Sequence, residues 1–252
     1  MGTFDGQVVL VTGAGAGIGR ATALAFAEAG AHVAVSDLDA DRANAVADQI
    51  SQDGGTATPF TVDVSDGAAV ESLIATIADT IGPLDCACNN AGIEGARGTT
   101  ASYEESEWDR VMNTNLRGVW LCMKHEIRHM QPRGGAIVNV ASAFGTVGLP
   151  KGPARAAADH GVIGLTRSAA LECAEDGIRI NAVCPSFVET DLQMRAGPLI
   201  HPEERQEVVE SHPMRRFGTA NEVADAVLWL ASDAASFVTG HPLLIDGGYT
   251  AR

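Results

Sequence analysis

Seven short apolar runs punctuate the chain, at Val8–Val11, His32–Ser36, Thr58–Val62, Leu84–Cys88, Ala136–Val140, Ile178–Val183 and Leu243–Ile245. The stretches between them are longer. At Ala21–Ala29, Ala40–Ile50, Ala68–Ile81 and Trp108–Met130 they are rich in Ala, Leu, Glu and Arg, the residues of helices. Strands that alternate with helices pair in parallel, and strands this continuously apolar are buried on both faces. The pattern predicts an α/β fold, a doubly wound parallel sheet of about seven strands with helices on both faces. No linker or composition break divides the 252 residues, so 1–252 reads as a single domain.

Directly after the first run stands Thr12-Gly13-Ala14-Gly15-Ala16-Gly17-Ile18-Gly19-Arg20, which opens the first helix. Glycines let the chain turn tightly there and bring backbone N–H groups close to a pyrophosphate at the positive end of a helix. Strand before, helix after and an acidic residue, Asp37, at the end of the second run together identify a dinucleotide site, and hence a Rossmann-type sheet. The Asp37 carboxylate can accept hydrogen bonds from both adenosine ribose hydroxyls and would repel a 2′-phosphate. Neither Ala16 nor Leu38 supplies a cation to offset that repulsion, so NAD is favoured over NADP. The competing reading is that Asp37 only caps the next helix.

Asp63-Val64-Ser65-Asp66 after the third run and Asn89-Asn90-Ala91-Gly92 after the fourth extend the same sheet edge. Pro185-Ser186-Phe187-Val188-Glu189-Thr190 follows the sixth, and the chain ends in Val238-Thr239-Gly240 through Asp246-Gly247-Gly248. With the Thr12–Gly19 loop, these motifs resemble the classical short-chain dehydrogenase/reductase family over essentially the whole chain. The resemblance implies that Asp63, with Val64 beside it, contacts adenine. It implies that Asn89, Ala91 and Gly92 lie in a turn that supports the central strand beside the cofactor. Pro185, Val188 and Thr190 would then form the nicotinamide-proximal segment, where glycine is commoner than Ser186. A homotetramer built through the helices around 103–130 and 154–172 is implied as well.

Members of that family work with an asparagine, a serine, a tyrosine and a lysine. Asn115 matches the first, which holds a helix kink and a water in a proton relay, and Ser142 matches the second, which bonds the substrate oxygen. Thirteen positions after Ser142, where the resemblance implies tyrosine, stands Arg155, and four further on, where it implies lysine, stands Asp159. The flank His160-Gly161-Val162-Ile163-Gly164-Leu165-Thr166 continues the pattern without a gap. A guanidinium, with a pKa above about 12, exchanges no proton at neutral pH. It does donate hydrogen bonds to a carbonyl oxygen, an oxyanion or a carboxylate.

Two readings of these residues follow. In one, Arg155 and Asp159, four apart on a helix, pair with each other and leave an inert site. In the other, Arg155 holds an anionic or strongly polar small-molecule substrate beside Ser142, and the proton passes to water relayed through Asn115 or to a residue such as Glu189. The leading expectation is an NAD-dependent oxidoreductase acting on a hydroxyl or carbonyl group. The alternatives are a non-redox lyase, dehydratase or isomerase, in which Arg155 stabilises an oxyanion and Asp159 moves a proton, and a catalytically silent NAD-binding subunit.

Proline and glycine breaks between Phe187 and Arg216 suggest a substrate lid over residues 187–215. A net charge of -15 speaks against nucleic acid or anionic membrane as partner. The start of the chain carries neither a basic region nor a long apolar run, so a cytoplasmic location is expected. The five scattered cysteines are expected as buried, reduced thiols. His125-Glu126-Ile127-Arg128-His129 fits the zinc-protease pattern literally, but it ends a long helix away from the sheet edge without a third ligand. It is read as a solvated or interface helix end, and no metal is expected.

Overall fold

The computed structural model of the chain describes residues 2–131, 133–190 and 202–251. Its strands are β1 (Val8–Thr12), β2 (His32–Asp37), β3 (Thr56–Thr61), β4 (Leu84–Asn89), β5 (Gly135–Val140), β6 (Ile178–Pro185) and β7 (Pro242–Ile245). They form one sheet in the order β3-β2-β1-β4-β5-β6-β7, with every pair parallel. The helices are α1 (Gly17–Glu28), α2 (Ala40–Gln52), α3 (Gly67–Thr80), α4 (Glu105–Val111), α5 (Gly118–Met130), α6 (Pro153–Cys173), α7 (Pro202–Ser211) and α8 (Ala220–Ala231).

The strands are apolar at consecutive positions because both faces are covered. Val9, Val11, Val33 and Val35 pack against Phe26 of α1, Val46 and Ile50 of α2 and Val223 and Leu230 of α8. The intervening Val8, Leu10 and Ala34 pack on the other face against Leu73 and Ile77 of α3, Val119 and Met123 of α5 and Val162 and Ile163 of α6. Side chains of a strand point alternately to its two faces, so this division is what a period of two produces when neither face meets water. All five cysteines are free and buried within this packing. Among the described residues, no helix is long and apolar enough to cross a membrane.

The single helix expected over Trp108–Met130 is interrupted. A π-helical turn, Met112–Arg117, separates α4 from α5. Its buried Asn115 accepts a hydrogen bond from the Ile93 N–H at 2.9 Å and donates to the Ile93 carbonyl at 2.8 Å. One amide thereby satisfies both backbone groups of a residue in the loop after β4, a partner that no local sequence pattern announces. π-turns occur preferentially at functional sites, where they re-aim a side chain.

The reading of His125–His129 as a solvated or interface helix end is corrected. His125 and Glu126 are buried, and the Glu126 carboxyl accepts from Asn89 Nδ2 at 2.9 Å beneath the sheet. His129 Nε2 accepts the Leu84 N–H at 3.1 Å, so its lone pair is already engaged. Burial pushes the Glu126 carboxyl up to about 7, with the Asn89 hydrogen bond opposing the shift. Among the described residues Glu126 Oε1 and Asn89 Oδ1 both lack a partner, so a neutral carboxyl, which carries a donor, suits this pocket better than a carboxylate.

The folded-state pKa of Glu126 is raised. Its contribution is therefore fully present below about pH 4.5, falls as pH rises, and is lost above about pH 7. Glu126→Gln is expected to remove that slope and to stabilise the protein by about 3 kcal/mol at pH 8. Urea melts at several pH values measure this, and parallel pH profiles for variant and parent would rule it out.

Candidate active site

The carboxyl ends of the strands open into a cleft of about 1050 Å³. One half is the glycine loop. Gly13 has φ 61°, a left-handed conformation that side chains resist, and an added Cβ would lie 2.8 Å from Ala91 Cα. At Gly19 a Cβ would run into the Gly13 carbonyl oxygen. Both glycines are there for close backbone approach. The Asn90 side chain locks the loop by donating to the Thr12 and Gly13 carbonyls, each at 3.0 Å. Helix α1 begins behind Ala16 with no side-chain cap, leaving its first N–H groups to face an anion.

Asp37 stands at the end of β2, where its Oδ2 accepts the Gly15 N–H at 2.8 Å and its Oδ1 accepts the Asp39 N–H at 3.0 Å. The cap of α2 is Asp39, whose side chain takes the Asp41 and Arg42 N–H groups, so Asp37 is not committed to capping. Arg42, which the sequence reading passed over, also lines the cleft beside Asp37. An ion pair to Asp39 at 3.2 Å holds it.

Gly13, Ala16, Gly17, Ile18, Asp37, Leu38, Asp63, Val64, Ala91, Gly92, Asn115, Pro185, Val188 and Thr190 all line this one cleft, together with Ser142, Arg155 and Asp159. Two expected residues stand apart. Gly19 packs against Gly13, and the Asn89 side chain turns beneath the sheet to Glu126 and Asn139, while its neighbour Asn90 takes the cleft wall. Glu189, the suggested base, is not on the cleft wall and pairs with Arg205.

At the other half of the cleft, Ser142 ends the segment after β5. It is buried, and its hydroxyl donates to the Pro185 carbonyl at 3.1 Å. Arg155 projects from the first turn of α6. Its Nε donates to Asp159 Oδ2 at 2.8 Å, the pair expected from the spacing, and its Nη1 donates to Glu94 Oε2 at 2.9 Å. Glu94 lies 61 residues away in the loop after β4 and had no signal in the sequence. The guanidinium sits between two carboxylates, and Nη2 has no partner among the described residues. Burial disfavours its charge, but Asp159 and Glu94 outweigh that and hold Arg155 firmly cationic. Burial pushes the Asp159 carboxyl up, and Arg155 pulls it back only in part.

A doubly wound parallel sheet with a glycine cradle and an acidic residue at the end of β2 defines a nucleotide-binding α/β protein. The chain belongs to the short-chain dehydrogenase/reductase family. A family model described as enoyl-(acyl carrier protein) reductase matches residues 13–250. The chain is 41% identical over 250 residues to the cyclohexanol dehydrogenase of Acinetobacter sp. (strain SE19), covering 99% of this chain and 97% of that one. The crystal structure of a levodione reductase superposes with a TM-score of 0.94 at 37% identity, over 98% of this chain and 99% of the other. A solved structure from Agrobacterium tumefaciens with bound NADP gives a TM-score of 0.90 at 34% identity, over 98% of both chains.

Proposed function

We propose that this protein is an NAD(H)-binding oxidoreductase acting on the hydroxyl or carbonyl group of a small polar molecule, with Ser142 and Arg155 on the substrate oxygen. The reading is carried by one conjunction, a complete dinucleotide cradle and a guanidinium with uncommitted donors lining the same cleft as Ser142. Bound NAD supplies the group that accepts or returns a hydride. Ser142, on turning its hydroxyl away from the Pro185 carbonyl, and Arg155 Nη2 donate to the reacting oxygen and stabilise the negative charge that grows on it. Glu94 and Asp159 orient the guanidinium and screen it. Two acids against one base leave no net positive charge for a substrate carboxylate, which favours neutral alcohols and ketones over anions. Asn115 positions the loop through Ile93, and Arg155 has no proton to exchange. Turnover is therefore slow, without the roughly 10²–10⁴-fold that a placed acid–base group contributes.

Within this proposal the protein is cytoplasmic, and residues 187–215 form the substrate lid, of which 191–201 lie outside the described residues. It assembles as a homotetramer through α4, α5 and α6, where Trp108, Trp120 and Leu171 are exposed. The experiment is to mix the purified protein with NAD and neutral cyclic alcohols such as cyclohexanol and to follow NADH absorbance. Slow NADH formation that disappears in Ser142→Ala is expected. NAD binding without NADH from any alcohol would instead support a catalytically silent NAD-binding subunit, a reading that the double engagement of Arg155 favours.

NAD is proposed over NADP because Asp37 faces the cleft and the nearby cation, Arg42, is taken up by Asp39. Calorimetry is expected to show NAD binding more tightly than NADP. Asp37→Ala should weaken NAD by about 10- to 100-fold, the value of a charged hydrogen-bonding group. Equal affinity for the two dinucleotides would refute the assignment.

A further inference from the structure

Outside the Arg155 triad, Ser186 on the wall of the same cleft is backed by a buried histidine, His212, that does not itself line the cleft. Ser186 follows the end of β6, where its N–H donates to the Ile245 carbonyl at 3.2 Å and fixes the backbone. Its Oγ lies 2.9 Å from Nε2 of His212, a residue just beyond α7. His212 Nδ1 lies 2.6 Å from the Val208 carbonyl, which also receives the Ser211 hydroxyl at 2.6 Å. A carbonyl only accepts, so Nδ1 carries the ring proton and Nε2 presents its lone pair. The Ser186 hydroxyl must therefore be the donor in the short contact to His212. This is a nucleophile held by a base whose tautomer a third group fixes.

The surroundings match that role. His212 is 1% exposed and packs against Tyr249, Phe187 and Phe217 at ring distances of 5.1, 6.0 and 6.4 Å, which hold its ring in place against Ser186. Asp246 is close enough for its charge to interact with His212. The N–H of Phe187, the residue after Ser186, donates to nothing among the described residues and is available as an oxyanion donor.

We propose that Ser186 and His212 form a nucleophile–base dyad that hydrolyses small carboxylic esters entering the cleft, an activity separate from any redox reaction. Ser186 Oγ bonds to the ester carbonyl carbon as its proton passes to His212 Nε2, and the Phe187 N–H stabilises the oxyanion. The bond from carbon to the ester oxygen then breaks, and His212 returns the proton to the departing alkoxide, leaving an acyl group on Ser186. Water attacks that acyl carbon, gives a proton to His212, and the Ser186 oxygen leaves with that proton as a carboxylic acid is released.

The test uses the purified, unaltered protein with p-nitrophenyl acetate and, separately, a fluorophosphonate that phosphonylates activated serines, followed by peptide mapping in a mass spectrometer. The expected result is phosphonylation at Ser186 and ester hydrolysis that falls by about 10²-fold or more in Ser186→Ala and in His212→Gln. No phosphonylation, attachment at another residue, or hydrolysis by Ser186→Ala at the parent rate overturns the proposal. Because the mapping needs no variant, a His212→Gln chain that fails to fold does not protect the idea from refutation.

Discussion

An Arg155→Tyr, Asp159→Lys double variant is expected to oxidise a neutral cyclic alcohol with NAD about 10²–10⁴-fold faster than the parent chain. The parent cleft carries two acids around one guanidinium, and on the proposed reading neither Ser142 nor Arg155, the donors assigned to the substrate oxygen, exchanges a proton at neutral pH. A phenol at 155 supplies that proton. An ammonium at 159 replaces a negative charge by a positive one and lowers the phenol pKa. Arg155→Tyr alone should recover far less, because the Asp159 carboxylate beside the phenol would raise its pKa. Steady-state rates for the single and double variants, with NAD affinity measured in parallel, separate these contributions. A double variant that binds NAD normally and gains no activity would show that more than these two positions block the reaction.

Removing the cation is the second large effect. Asp159 has a side chain only 5% exposed, and Arg155→Ala leaves it buried with Glu94, which opposes its charge, and His160, which only partly offsets that burial. Breaking a buried pair from one side costs about 3–5 kcal/mol. For a chain of this size that corresponds to a melting temperature lower by roughly 6–20 °C. Burial raises the Asp159 pKa above its unfolded value, so its stabilising contribution is complete at low pH and is lost as pH rises through the folded-state value. The deficit of Arg155→Ala should therefore be largest near neutrality and shrink as pH falls through the raised pKa of the carboxyl left without its partner. Calorimetric melts across that range decide the matter, and a deficit independent of pH would assign the loss to packing instead of charge.

The sheet was legible in the sequence because Val8–Val11 and Val33–Val35 are apolar at every position, which only a strand covered on both faces requires. The glycine loop was legible because its constraint is local: the turn at Gly13 and the contact of Gly19 with the Gly13 carbonyl lie within one short segment. Arg155 and Asp159 could be paired from their helical spacing. Glu94 could not, because the loop that carries it is brought to α6 only by the assembled sheet. The same holds for Ser186 with His212, and for Asn115, whose partner is a backbone 22 residues earlier. Glu126 was misread for a different reason. Polar residues at a helix end ordinarily face water, and only the presence of Asn89 beneath β4 makes an inward carboxyl tolerable.

The strand order, with β1 and β4 adjacent and the chain running outward on either side, has a consequence for how such a gene changes over generations. The loop from Gly13 to Gly19 and Asp37 belong to the half that grows from β1 towards β3, whereas Ser142, Arg155 and Asp159 belong to the half that grows from β4 towards β7. Mutations in the second half can rewrite the reacting end of the cleft while selection preserves the first half unaltered. A lineage can therefore change that end of the cleft in paired steps, Arg155 together with Asp159, and leave the glycine loop and Asp37 untouched.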